Sequence, residues 1–529
     1  MRAAARLRDF STDPERLAIL SALAVVIGIG AGALAKLLLT MIGFITHIAY
    51  YRSAGFALVP PSPHAIGPIA IAIPVVGGLI VGLIARFGTD KIRGHGIPEA
   101  IASILDRDSI IRARVAFWKP IASAITIGTG GPFGAEGPII MTGGAFGSLF
   151  AQYLRLSSFE RRTLLVCGAS AGMSATFGAP IASVLIAVEL LLFEWRPRSF
   201  IPVAIAALVA LGMRQALIGS APPFEVIGAH AMSSALLLWA CAIGLAGGIV
   251  SMIMTRLVYF TEDLYARLPI HWMWWPAIGG AVVGIGGWFV PQALGVGYPT
   301  IDALVNGRLA LTAVAAIIAV KIIIWIASLS SGTSGGVLAP LLMIGAALGC
   351  LAAAIVPGHD AGLWAIVGMA AVMGGTMRAP FMGTVFALET THAWTLAPAV
   401  FVGCVAATAF TVVFVPRSIL TEKLARRGLH VAREYSVHPL ELIAVRDVMR
   451  APIAGDDLPD IVIAQDARMR SAADLMATES VRTLRVVDET GTSVGTLHAD
   501  DLLRAWRQGM RAETNRRVIR RIMRYEAMV

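Results

Sequence analysis

The sequence predicts an all-α polytopic membrane protein with a small α/β unit near its C-terminal end, and three observations carry that prediction. Hydrophobic residues fill 57% of the 529 positions and charged residues only 14%, with a mean hydropathy of +0.75, which leaves too few charges to coat a soluble surface. Apolar stretches at 17–39, 69–85, 236–254 and 395–415 approach the ~20 residues that a spanning helix needs. Others are shorter or broken by Gly and Pro, as half-helices are. Past residue 420, after "EKLARRGLHVAREYSVHP", the chain turns mixed, charged and alternating, the pattern of a small cytoplasmic α/β domain.

The net charge of +10 comes from basic residues gathered at "MRAAARLRD", "RFGTDKIR", "RARVAFWK", "RLSSFERR" and the C-terminal tail. That is the loop pattern of the positive-inside rule and not a nucleic-acid stripe, so no nucleic-acid partner is expected. Both termini are expected in the cytoplasm, with residues 1–16 ahead of the first span. Those residues lack a secretory cleavage pattern, and the first span itself directs insertion. Cys167, Cys241, Cys350 and Cys404 lie singly in apolar stretches without CxxC or a neighbouring His, which argues against a disulfide frame or a metal site. There is no HExxH, no GxxxxGK[ST] and no nucleophile elbow, so enzymatic equipment is not expected.

The membrane part repeats itself. "KPIASAITIGTGGPFGAEGP" (119–138) aligns with "KIIIWIASLSSGTSGGVLAP" (321–340), pairing Lys119 with Lys321, Gly134 with Gly336 and Pro138 with Pro340 at one offset of 202. "GASAGMSATFGAPIASVLIAVEL" (168–190) aligns with "GMAAVMGGTMRAPFMGTVFALET" (368–390), pairing Ala179-Pro180 with Ala379-Pro380 and Glu189 with Glu389 at an offset of 200. Two such pairs in the same order indicate an internal duplication, and duplicated halves with Gly/Pro-interrupted segments point to a transport site near the bilayer midplane. In "GAEGPIIMTGG" and "SGGVLAPLLMIG", Pro138 and Pro340 suit a first helical position, and the preceding glycines allow a tight turn. Pro98 in "RGHGIPEAIASIL" opens a third such helix. Unpaired N–H groups and the positive dipole end at each start make an anion site that needs no cationic side chain.

At these residues the sequence resembles the CLC family of chloride channels and chloride/proton antiporters, of the bacterial type. "GHGIP" (94–98) is similar to the family's GSGIP, "GAEGP" (134–138) to its G[K/R]EGP, "GVLAP" (336–340) to its GxFxP, and "RSILTEKLARRG" (417–428) to its closing helix. The resemblance implies about eighteen helical segments in two inverted repeats, over 17–430, with repeat one at about 17–218 and repeat two at about 232–430. It also implies a homodimer with one pore per subunit in the bacterial inner membrane, carrying chloride or another small anion. Glu136 is then the gate, a tethered anion at the start of the Pro138 helix, since a charge inside membrane-embedded sequence is costly and usually functional. The implied anion-binding positions are His95, Gly96 and Ile97, then Gly134, Ala135 and Gly137, then Gly336, Val337 and Leu338, and finally Leu420 in the closing helix.

The departures from the family pattern matter as much. Where the family has Ser in GSGIP, His95 stands here: either its imidazole N–H donates to the anion and makes binding pH-dependent, or only the backbone amides of 95–97 contribute. The expected Tyr of the last helix is Leu420, and the Phe of GxFxP is Leu338. Anchored on Ala179-Pro180, the paired glutamates of antiporters fall at Glu189 and Leu190, and leucine carries no proton. Glu189 sits about 100° around the helix, and its match to Glu389 argues for a structural role. Glu194 falls at a solvated end. The resemblance thus favours passive chloride conduction gated by Glu136, with chloride/proton antiport along an atypical path as the alternative and a membrane-anchored sensor as a third class.

Residues 445–508 resemble a single CBS motif, with "VRDVMRAP" (445–452) as its entry strand, followed by a basic tail at 509–529. The places where nucleotide-binding members hold the ribose with a Thr or Ser followed three residues later by Asp are His498 and Asp501 here, which supports nucleotide binding poorly, and no cofactor is expected. A lone copy leaves an apolar face exposed, so pairing between subunits is expected.

Overall fold

A computed structural model describes residues 14–106, 109–154, 156–226, 234–356, 361–429, 440, 443–451, 460–488 and 490–514. The chain forms two compact units, Met1–Arg433 and Glu434–Val529. In the larger unit the first half runs α1 (Pro14–Thr46), α2 (Ala72–Phe87), α3 (Ile97–Asp106), α4 (Ala113–Gly128), α5 (Glu136–Gln152), α6 (Ser158–Phe177), α7 (Pro180–Ile186) and α8 (Pro197–Leu217). The second half runs α9 (Ser234–Ala266), α10 (Trp275–Phe289), α11 (Tyr298–Val305), α12 (Leu311–Ser330), α13 (Leu338–Ala353), α14 (Ala361–Met377), α15 (Pro380–Thr391) and α16 (Ala397–Phe414). The short α17 (Ile419–Ala425) follows.

The halves correspond helix by helix, and they are inverted. A Cβ on Gly78 of α2 would lie 2.2 Å from the Pro276 carbonyl oxygen of α10, and one on Gly280 of α10 would lie 2.3 Å from that of Pro74 of α2. The start of each helix therefore meets the middle of its counterpart, as in an antiparallel pair related by a two-fold axis. Only glycine permits backbones this close, which is how helices associate where lipid removes the hydrophobic incentive.

Among the described residues, six helical segments are long and apolar enough to cross a membrane, including Pro14–Tyr51, Pro68–Phe87, Leu236–Ala266 and Trp394–Ala425, where the sequence placed its spans. Pro180–Leu192, Leu338–Ala353 and Ala361–Met377 are apolar but shorter. α5, α6, α13 and α14 form the centre: every residue of α6 from Thr163 onward and of α14 from Gly362 onward is buried, as expected of helices that are apolar all round. The helix starts fall earlier than the prolines suggested. α5 begins at Glu136 and α13 at Leu338, which makes Pro138 and Pro340 third residues, and Pro98 is the second residue of α3.

The smaller unit packs β1 (Val462–Ala464), α18 (Met469–Thr478), β2 (Thr483–Val487), β3 (Ser493–His498) and α19 (Ala499–Thr514). β2 pairs in parallel with β1 and antiparallel with β3, over a core that includes Val445, Ile463, Leu484, Val486 and Leu497. Two expectations need correction. The 445–452 segment is not an entry strand: Val445–Asp447 forms a 3₁₀ turn, and only Arg450 pairs, as an isolated bridge to Thr496. The boundary expected at 508/509 falls inside α19, whose helical backbone runs on to Thr514; residues 515–529 of the expected tail lie outside the described residues.

Candidate anion site

The glycine-led helix starts of the two halves converge. The Gly336 N–H donates to the Gly134 carbonyl at 3.0 Å, and the Gly94 N–H donates to that of Thr333 at 3.3 Å. A Cβ on Gly137 would stand 2.2 Å from the His95 carbonyl oxygen and 2.9 Å from Gly336 Cα. The expected positions in GHGIP, GAEGP and GVLAP are thus one cluster, with Ala135 and Val337 as the N-caps of α5 and α13.

Glu136 lies at its centre, fully buried. Its carboxylate stays beside its own helix start, where a Cβ on Gly134 would lie 1.8 Å from Oε2. It reaches across to α13, where Oε1 accepts from the Ala339 N–H at 3.0 Å, while Oε2 has no hydrogen-bond partner. First-turn amides of a helix cannot bond within it, so the second half's start takes up a carboxylate from the first. A small anion has the same requirements.

Buried lysines brace the loops around this cluster. Lys119 of α4 donates from Nζ to the carbonyls of Ile92 (2.7 Å) and Gly94 (2.6 Å). Lys321 of α12 does the same for Ala293 (2.9 Å) and Gly295 (3.3 Å). The loop Lys321 holds reads "GVGYP" (295–299), the second-half counterpart of GHGIP, which sequence comparison missed because the two share only their glycines and proline. Tyr298 stands where Ile97 does in the first half, with a hydroxyl that has no hydrogen-bond partner.

His95 is buried with Nδ1 unpartnered, and its ring lines a cavity of about 150 Å³ together with Arg93, Tyr259, Glu262, Lys423 and Arg427. Of the two readings of His95, this placement supports the one in which the ring faces the path. Leu420 is buried in α17. The hydroxyl nearby belongs to Tyr259 of α9, which donates to the Ile419 carbonyl.

Glu189 and Glu389 play reciprocal parts away from the cluster. The Glu189 carboxylate accepts from the N–H groups of Phe381 (3.3 Å) and Met382 (2.8 Å) at the start of α15, and Glu389 accepts from those of Ile181 (3.0 Å) and Ala182 (2.8 Å) at the start of α7. Each caps the other half's helix, a structural use of the kind their alignment suggested. Leu190 is wholly buried. In the smaller unit Asp501 is engaged by Arg450 through Nε and Nη2 (3.0 and 2.8 Å) and by the His498 N–H, while the His498 ring meets Thr483 Oγ1. Burial raises the Asp501 carboxyl, but the hydrogen bonds from Arg450 and the His498 N–H and the charges of Arg450 and Arg504 together outweigh it and hold the group below its ordinary value.

An inverted-repeat membrane fold closing on facing helix starts defines the class of this protein, and comparison with known proteins places it within that class. The chain matches the voltage gated chloride channel family over residues 77–412 and belongs to that family. It is 31% identical over 372 residues to the H(+)/Cl(-) exchange transporter ClcA of Salmonella arizonae, spanning 66% of this chain and 78% of the relative. A slow cyanobacterial Cl-/H+ antiporter shares the fold with a TM-score of 0.70 at 21% identity, covering 79% of this chain and 99% of that one. A CLC-type fluoride/proton antiporter does so at 0.67 and 21%, covering 78% and 98%.

Proposed function

We propose that this protein exchanges chloride for protons across a membrane, with Glu136 as the group that alternately carries the proton and yields its place to the anion. One observation carries the reading: a fully buried carboxylate occupies the amides of α13 with one oxygen unpartnered. An anion can enter only when that carboxylate leaves, and a carboxylate displaced within the membrane is stabilised by taking a proton. The exchange activity named for the Salmonella relative supports coupling. This replaces the passive conduction that the sequence favoured on the strength of Leu190. Passive conduction stays as the second reading because Leu190 is buried and carries no proton; an exchanger of this sequence brings protons to Glu136 by another route.

The basic residues around the His95 cavity support a cytoplasmic mouth there under the positive-inside rule. The remaining assignments belong to the same proposal. His95, Gly96 and Ile97 meet the anion from the cytoplasmic side, two copies of the chain pair with one pore each, and the smaller unit is of CBS type. The Arg450–Asp501 pair weighs against nucleotide binding there.

The test is proton movement in reconstituted vesicles. A chloride gradient is expected to drive protons uphill in the wild type. Chloride flux without proton movement at any imposed gradient would establish the passive reading instead.

A further inference from the structure

The cavity beside His95 holds four cations, and three of them have a carboxylate. Lys91 sits 3.9 Å from Asp90, while Arg427 and Lys423 lie 2.9 and 4.0 Å from Glu99. Arg93 is different. Its guanidinium rests on two indole faces, 4.6 Å from the Trp272 centroid and 5.6 Å from that of Trp275. Among the described residues it makes no hydrogen bond or ion pair; Glu262, the acid lining the same cavity, forms none with it. Two indoles orient a guanidinium without using its N–H groups.

The backbone opposite is shaped for this side chain. Gly332, on the turn leading to α13, has a φ of +82°, and a Cβ there would lie 2.8 Å from Arg93 Nε and 2.9 Å from Nη2. The guanidinium therefore lies against the turn that leads into the Glu136 cluster, and the His95 ring with its unpartnered Nδ1 lines the same small cavity.

We propose that Arg93 is a specificity-determining residue at this mouth, whose oriented, unpaired guanidinium captures small anions and favours planar oxyanions over halides. The inference rests on the transport reading for its site and adds a ligand preference to it. A guanidinium presents two parallel N–H donors that match two oxygens of a planar oxyanion; a spherical halide uses that fork less well, and an ammonium has no such fork.

The test uses the full-length protein in vesicles, with nitrate and chloride fluxes measured in parallel. Arg93→Gln is expected to lower the nitrate-to-chloride flux ratio about ten-fold, the scale of one charge-assisted hydrogen bond. Arg93→Lys is expected to keep chloride flux and leave the ratio low. An unchanged ratio in Arg93→Gln, or a wild-type ratio in Arg93→Lys, overturns the inference. If Arg93→Gln does not fold, Arg93→Lys decides alone. If the wild type moves neither anion, the transport reading fails, and the Arg93 site is judged by binding. Nitrate should then raise the melting temperature of purified wild type more than that of Arg93→Lys, and equal shifts overturn the inference.

Discussion

The starts of α5 and α13 are built alike and used differently. Both follow glycines, both carry proline as third residue, and both lie beside a loop held by a buried lysine. The first begins with Glu136 and the second, at the aligned position, with Leu338. Because the halves are inverted and face each other, the carboxylate of one fills the amides of the other. Duplication thus supplied two equivalent helix starts, and a single side-chain difference gave one the carboxylate and the other its seat.

The sharpest way to break that asymmetry is Glu136→Gln. An amide cannot cycle a proton, so chloride-driven proton movement is expected to fall to the level of empty vesicles while chloride flux persists; retained proton movement would remove Glu136 from the mechanism. The lysines test the part that is symmetric. Lys119→Met and Lys321→Met each strand two buried carbonyls and are expected to cost about 2 kcal/mol each, seen as similar drops in melting temperature. Only Lys119→Met should also weaken chloride affinity, since only its loop carries His95. A smaller effect is expected at the reciprocal caps, where Glu189→Gln and Glu389→Gln should each cost about 1 kcal/mol. The two contacts share no partner, so the double variant should show the sum within about 0.5 kcal/mol. A large excess would mean that the caps are coupled.

The least effect on transport is expected in the smaller unit, which has no counterpart half. Asp501 titrates below its unfolded value, so the stability it contributes is present above about pH 4 and is lost as pH falls through the folded value. Hydrogen exchange in α19 should accelerate with acid over that range in the wild type, and Asp501→Asn should show fast exchange at every pH.

Much of this architecture was legible in the chain because repetition leaves identical residues at fixed offsets. Lys119 with Lys321 and Glu189 with Glu389 exposed the duplication, and each pair proved to act alike in both halves. The GVGYP loop escaped because its conserved part is only backbone geometry, two glycines and a proline, while Val296 and Tyr298 obscure the match to His95 and Ile97. Arg93 escaped for another reason: in "RFGTDKIRGHG" it reads as one more loop charge. Trp272, Trp275 and Gly332, which leave it oriented and unpaired, are remote in sequence.

The sequence by itself determined that the chain enters a membrane, that its membrane part is duplicated, and that Gly/Pro-led helix starts stand at matching places in the two copies. Composition, periodicity and Gly/Pro placement are local, and a spanning helix must satisfy its own backbone. Only the tertiary structure decided which amides of the second half Glu136 reaches, which half each cap serves, and which cation at the mouth forms no ion pair among the described residues. Those contacts join positions about two hundred residues apart, and side-chain reach across an inverted pair is set by how the helices pack.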